Sequence, residues 1–144
     1  MLHFSHCEKE NLVILMMRVR QNFHYHLIWV TKYRNQAFTT PKLVDEMKNI
    51  LLQLAEMKEI CIEEMEIMPD HVHLLISFKP KHAPADIVKH LKGHSAKMFL
   101  AAHPEIKNHD FWGGHLWSHS YYMSTLGNMS KEVVEQYIRN QYTK

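Results

Sequence analysis

Two pairs of side chains in this sequence could do chemistry. The first is His71 and His73, within Pro69-Asp70-His71-Val72-His73-Leu74-Leu75-Ile76-Ser77-Phe78. Val72, Leu74, Ile76 and Phe78 alternate there with His71, His73, Leu75 and Ser77, the pattern of a half-buried strand. A strand repeats every two residues, so both imidazoles leave the face opposite the apolar row. Side by side on a rigid element, they can bind a divalent metal from one direction and leave its other side open. The second pair is Tyr137 and Gln141, four residues apart near the end of the sequence. On a helix they share a face. The Gln141 amide oxygen could then be a third ligand, with the Tyr137 phenol beside a phosphate bound to the same metal.

Neither pattern is specific by itself. With 13 histidines in 144 residues, roughly one His-x-His arises by chance. The sequence holds two, the other being His24-Tyr25-His26. Taken alone, histidines on a solvated sheet face and a half-buried tyrosine near a surface glutamine are the simpler readings. The surrounding elements have to decide.

The length suits one domain with one sizeable core. An apolar content of 46% and a charged content of 22% are those of an ordinary globular protein. The formal charge of +2 gives no global basic signal, so a nucleic-acid partner would need local basic patches. Cys7 and Cys61 are too few and too isolated for a disulfide framework or a zinc knuckle, which favours a reducing, cytoplasmic setting. The apolar run Leu12 to Met17 is too short to span a bilayer and lacks a small-residue cleavage site. Residues 1–20 read as a leader and residues 21–144 as a single domain.

Phe23 to Arg34 is rich in aromatic and β-branched residues and reads as a first, central strand. Thr40 as N-cap and Pro41 as first helical residue open a helix over 41–58, with Leu43, Met47, Ile50, Leu51 and Leu54 at helical spacing. Ile60 to Met68 is a second strand, joined by the tight Pro69-Asp70 link to the histidine strand. Pro84 opens a second helix carrying Lys89, Lys92 and Lys97, which His103-Pro104 ends. Residues 104–115 read as a loop. Leu116 to Leu126 reads as a fourth strand, and Ser130 caps a last helix over 131–142. The order β-α-β-β-α-β plus a helix predicts an α+β, ferredoxin-like (RRM-like) antiparallel sheet with two helices on one face and an additional C-terminal helix. The other face, which bears the histidines, is left open to bind something.

Five blocks now stand in order on these elements. They are Tyr25 to Arg34 (YHLIWVTKYR), Met68 to Ile76 (MPDHVHLLI), Leu91 to Ser95 (LKGHS), Leu116-Trp117-Ser118, and Val134 to Gln141 (VEQYIRNQ). Together they resemble the single-tyrosine HUH transposases, the TnpA-type enzymes of insertion sequences that move as single-stranded DNA. The resemblance covers about residues 22–141. It departs at His119, where the family usually shows a proline after Trp-Ser. It implies that His71, His73 and Gln141 bind the divalent cation and that Tyr137 is the nucleophile, forming a 5′-phosphotyrosine link. It also implies single-stranded DNA with hairpin ends as substrate, and a homodimer whose active sites can be shared between subunits. Imidazoles suit manganese while amide and phosphate oxygens suit magnesium, so Mg²⁺ or Mn²⁺ is the expected ion. Lys32, Arg34, Lys89, Lys92 and Lys97 are candidates for phosphate contacts, and Trp117, Tyr121 or Tyr33 for base stacking. Two alternatives remain: a replication-initiator or relaxase-type nuclease with the same residues, and a non-catalytic ferredoxin-like module binding single strands on its sheet.

Overall fold

The computed structural model describes residues 23–111, 113–125 and 138–139. Strand β1 (Phe23–Val30) leads through a short 3-10 turn (Lys32–Arg34) to helix α1 (Pro41–Met57). Strands β2 (Cys61–Met68) and β3 (His71–Phe78) follow, then helices α2 (Pro84–Ala102) and α3 (Pro104–Asp110), and strand β4 (Tyr122–Thr125). The strands form one four-stranded sheet in the order β2-β3-β1-β4, and every pairing is antiparallel. This is the ferredoxin-like order, with the histidine strand and β1 at its centre.

Local chemistry explains the starts. The Thr40 hydroxyl accepts from the Leu43 amide at 3.3 Å, and Pro41 needs no amide partner at the first helical position. Leu27, Trp29, Val72, Leu74, Ile76 and Phe78 face the helices and are buried with Met47, Leu51, Leu54, Ile87, Leu91 and Phe99. The Trp117 ring closes one end of this core, edge-on to Trp29 at 5.6 Å, and its indole N–H donates to the Ser95 hydroxyl at 3.0 Å. Trp117 is therefore a core residue.

Three boundaries differ from the sequence reading. The first strand stops at Val30 and not at Arg34, because Tyr33 and Arg34 adopt left-handed backbone, with φ of 56° and 59°. Residues 104–110 form helix α3 where a loop was expected. Pro104 again sits at a first helical position, with Glu105 favourably placed in the first turn. The fourth strand is broken. Trp117 makes an isolated bridge to Thr31, residues 118–121 bow out, and pairing to β1 resumes only at Tyr122. The leader 1–20, the Gly127-Asn128 break and most of the last helix lie outside the described residues, although Ile138 and Arg139 are described as helical. No helix among the described residues is long and apolar enough to cross a membrane.

Leu74 is fully buried at the centre of the sheet. Leu74→Ala should destabilise the fold by about 3 kcal/mol through lost burial and the cavity it leaves. Urea unfolding measures this, and a change below about 1 kcal/mol would mean that the sheet does not pack as described.

Candidate active site

The pairing of β1 with β3 sets the site. Val30 lies opposite His71, Ile28 opposite His73 and His26 opposite Leu75. Directly paired residues share a face, so His71, His73 and His26 all stand on the side away from α1 and α2. Glu66 from β2 pairs with His73, and Ser124 from β4 pairs with His26. The two His-x-His motifs therefore look out from one surface.

His71 is oriented by its neighbour. Its Nδ1 lies 2.9 Å from Asp70 Oδ1. An ionised carboxylate only accepts, so Nδ1 carries the proton and the Nε2 lone pair is left for a metal. The other oxygen of Asp70, Oδ2, accepts from Arg34 Nε at 2.8 Å and from a second guanidinium nitrogen at 2.6 Å. Arg34 is only 7% exposed and Asp70 13%, so the pair works in a medium of reduced polarity. A third guanidinium nitrogen donates to the Ile138 carbonyl. One arginine thus joins the end of β1, the start of the histidine strand and the C-terminal segment.

His73 meets His26, with Nε2 3.3 Å from His26 Nδ1. Burial, and then repulsion from a protonated His26, lower the His73 pKa below its usual 6.5, and Glu66 opposes this only in part. His73 is therefore neutral at pH 7, the form that can donate a lone pair. A cation on His73 would take Nδ1 or displace His26 from Nε2. The donor chemistry fits a divalent ion: two imidazoles on one strand, one oriented by the Asp70 carboxylate. Among the described residues no group of three or more His, Cys, Asp or Glu side chains could complete such a site, so a further ligand has to be of another type or come from elsewhere. Gln141 is of another type. Gln141 and Tyr137 both lie outside the described residues.

The five basic candidates separate. Lys89 and Lys97 line a cavity of about 500 Å³ on the outer side of α2, together with Lys58 and Lys81. Lys92 is turned towards the bow in the fourth strand. Its ammonium donates to the Ser118 and Ser120 carbonyls at 2.8 and 3.0 Å, and burial pushes its pKa down to about 8. Lys32 stands beside the Tyr33 ring, 5.3 Å from its centroid, while Arg34 holds Asp70. Sequence reading missed Asp70 and His26 as parts of the site. The signals were present: a carboxylate directly before His71, and a second His-x-His on the strand that the histidine strand must pair with.

Comparison with known proteins shows the family. Residues 19–141 match the model of the IS200-like transposases. The chain is 42% identical over 120 residues to the ISDra2 transposase TnpA of Deinococcus radiodurans, covering 83% of this chain and 84% of that protein. It is 32% identical over 130 residues to the transposase of insertion element IS200 from Salmonella typhimurium, covering 88% and 81%. A crystal structure of a Deinococcus radiodurans R1 transposase superposes with a TM-score of 0.77 at 40% identity, over 84% of this chain and 92% of that one. A REP-associated tyrosine transposase bound to a REP hairpin shares the fold, with a TM-score of 0.53 at 12% identity, over 83% and 69%. The fold is thus that of a DNA transposase. The chain belongs to the IS200-like transposase family.

Two outcomes follow from the site's geometry. Asp70→Asn should weaken Mn²⁺ binding about 10- to 100-fold by removing the carboxylate that orients His71. Titration followed by electron paramagnetic resonance reads this, and unchanged affinity would show that Asp70 does not tune the ligand. In metal-free protein the His73 ring should titrate below pH 6.5 by NMR. His26→Phe should move that midpoint up while leaving it below 6.5, since burial is the larger cause. A wild-type midpoint at or above 6.5 would contradict the burial described.

Proposed function

We propose that this transposase cleaves and rejoins single-stranded DNA at insertion-sequence ends, with Tyr137 as nucleophile and a divalent cation, Mg²⁺ or Mn²⁺, held by His71, His73 and Gln141. The observation that carries this reading is the hydrogen bond from Arg34 to the Ile138 carbonyl. Ile138 is the residue after Tyr137, and the same guanidinium is paired with the carboxylate that orients His71. Ile138, next to Tyr137 in the sequence, is thereby tied to the start of the histidine strand, which supports this reading.

The chemistry follows from residue types. A phosphodiester is an anion and resists a second anion. The bound cation would supply positive charge to a non-bridging phosphate oxygen and offset the charge that develops there. The Tyr137 oxygen attacks phosphorus in line. A P–O bond to tyrosine forms, the P–O3′ bond breaks, and the proton lost by the phenol is balanced by the one gained at the 3′-oxygen. The resulting 5′-phosphotyrosine conserves the phosphodiester energy, so another 3′-hydroxyl can reverse the step and join new ends. His71 and His73 bind and orient, and Asp70 holds the proton on His71 Nδ1.

The substrate in this reading is single-stranded DNA carrying hairpins, as the relative bound to a hairpin suggests. Lys32, Lys89 and Lys97 supply local positive charge that the near-neutral whole lacks, whereas Arg34 and Lys92 are engaged within the protein. Two copies act as a homodimer in the cytoplasm, where the C-terminal helix of one can complete the site of the other.

Incubating the protein with a single-stranded element end and Mn²⁺ should yield a protein–DNA adduct that survives denaturation. The adduct should disappear with Tyr137→Phe and fall at least 100-fold with His71→Ala, as gel mobility would show. Binding without any adduct would instead favour a non-catalytic single-strand module.

A further inference from the structure

The bow in the fourth strand encloses a second cavity. Residues 30–33 and 118–120 line about 320 Å³ of space, a volume within the range of small-ligand pockets. The cavity is held open from below. Lys92 donates to the carbonyls of Ser118 and Ser120, while the amides of Lys32 and Ser118 are tied to Leu116 and Val30 at 2.9 Å each. Its walls carry Lys32, Tyr33 and His119 and no carboxylate. It opens at the end of β1 where Val30 pairs with His71, next to the face assigned above to the scissile phosphate.

Tyr33 at the rim is unusual in two ways. Its ring is 76% exposed, so burial does not stabilise it. Its backbone sits at φ 56°, a left-handed conformation that is costly for an aromatic residue. The neighbouring Arg34 shares that conformation, but there the turn has a visible purpose, since it aims the guanidinium at Asp70. Among the described residues the Tyr33 ring meets only the adjacent Lys32 ammonium. The turn is nonetheless well held, by Arg34 N–H to the Thr31 carbonyl at 3.0 Å and Asn35 N–H to the Lys32 carbonyl at 3.1 Å. A strained residue held firmly and presented to solvent points to a ligand.

The ligand's chemistry can be read from the walls. A flat exposed ring favours a second aromatic plane. The Lys32 ammonium, 5.3 Å from that ring and 3.5 Å from His119 Nε2, favours an anion attached to it. His119 and the flanking serines offer hydrogen-bonding groups. An unpaired nucleotide has all three features. We propose that this cavity is a nucleobase subsite, in which one unpaired base of the bound strand stacks on Tyr33, Lys32 meets its phosphate and His119 reads its edge. The proposal rests on the reading of the chain as a single-strand DNA transposase and adds to it where the base beside the reacting phosphate is held.

The probe is fluorescein-labelled dT12, titrated by anisotropy at fixed salt. Tyr33→Ala should weaken binding about tenfold, while Tyr33→Phe, which keeps the ring, should bind as wild type does. Tyr33→Gly should also bind about tenfold more weakly, yet raise the thermal midpoint, because glycine adopts a positive φ without strain. A merely structural tyrosine would not show that opposition. If Tyr33→Gly binds dT12 as tightly as wild type, or if it melts lower, the subsite is overturned. Adduct formation through Tyr137, scored in the same preparations, separates the two ideas. Adducts with no dependence of binding on Tyr33 sink the subsite alone. Tyr33-dependent binding without adducts supports the subsite while removing the proposed chemistry.

Discussion

The structure depends on the unbroken register between β1 and β3. Eight consecutive pairs run from Phe23 opposite Phe78 to Val30 opposite His71. Because side chains alternate strictly, this register gives Leu27, Trp29, Val72 and Leu74 to the face packed on the helices and His26, His71 and His73 to the opposite face. A slip of one residue would exchange the two sets and bury three imidazoles while exposing the core. The apolar face therefore does more than stabilise the sheet: its burial fixes where the imidazoles point. The edge strand β2 is under weaker constraint and carries a bulge between Ile62 and Glu64, where the bulged Glu63 reaches His24 Nδ1 at 3.2 Å.

Arg34 extends that constraint beyond the sheet. Its left-handed backbone turns the chain off β1 and sends the guanidinium back towards Asp70, instead of onward as a fifth turn of strand would. A half-buried ion pair of this kind adds little net stability, since desolvation offsets most of the attraction. Its value lies in geometry. The two oxygens of Asp70 are divided between Arg34 and His71, so the carboxylate cannot rotate without losing one of them. The remaining arginine nitrogen is satisfied by a backbone carbonyl of the C-terminal segment. Segments separated by more than a hundred residues are held in relation by one planar cation with fixed donor directions.

Most of the fold was legible because it follows short-range rules. Period-two alternation marked β3, and Thr40-Pro41 and Pro84 marked the helix starts. Alternation also placed His71 and His73 on one face. The order of elements then left few topologies. What escaped had long-range causes. Nothing local says that a strand ending Thr31-Lys32-Tyr33-Arg34 stops at Val30, since Tyr33 and Arg34 are good strand formers. The turn is stabilised by Asp70, which lies 36 residues away from Arg34. The fourth strand reads as continuous because Trp117, Tyr121 and Tyr122 all suit a sheet, yet Lys92 on a helix draws the Ser118 and Ser120 carbonyls out of it. The contact between His26 and His73 required the register itself.

These departures from local preference have a common location. The strained Tyr33, the broken fourth strand and the desolvated Lys92 each lower the stability of the free protein, through backbone strain, lost ladder hydrogen bonds and burial of an ammonium. All three adjoin the same cavity, at the same end of the sheet as His71. Departures elsewhere are fewer and isolated, among them the left-handed backbone of Glu59 and the buried indole N–H of Trp29, while the rest of the core shows propensity, patterning and packing in agreement. Conflicts scattered at random would suggest poor packing. Conflicts gathered beside a pair of oriented imidazoles suggest that the end of the sheet is shaped by what it must hold, at a cost in stability that the uninterrupted pairing of β1 and β3 can carry.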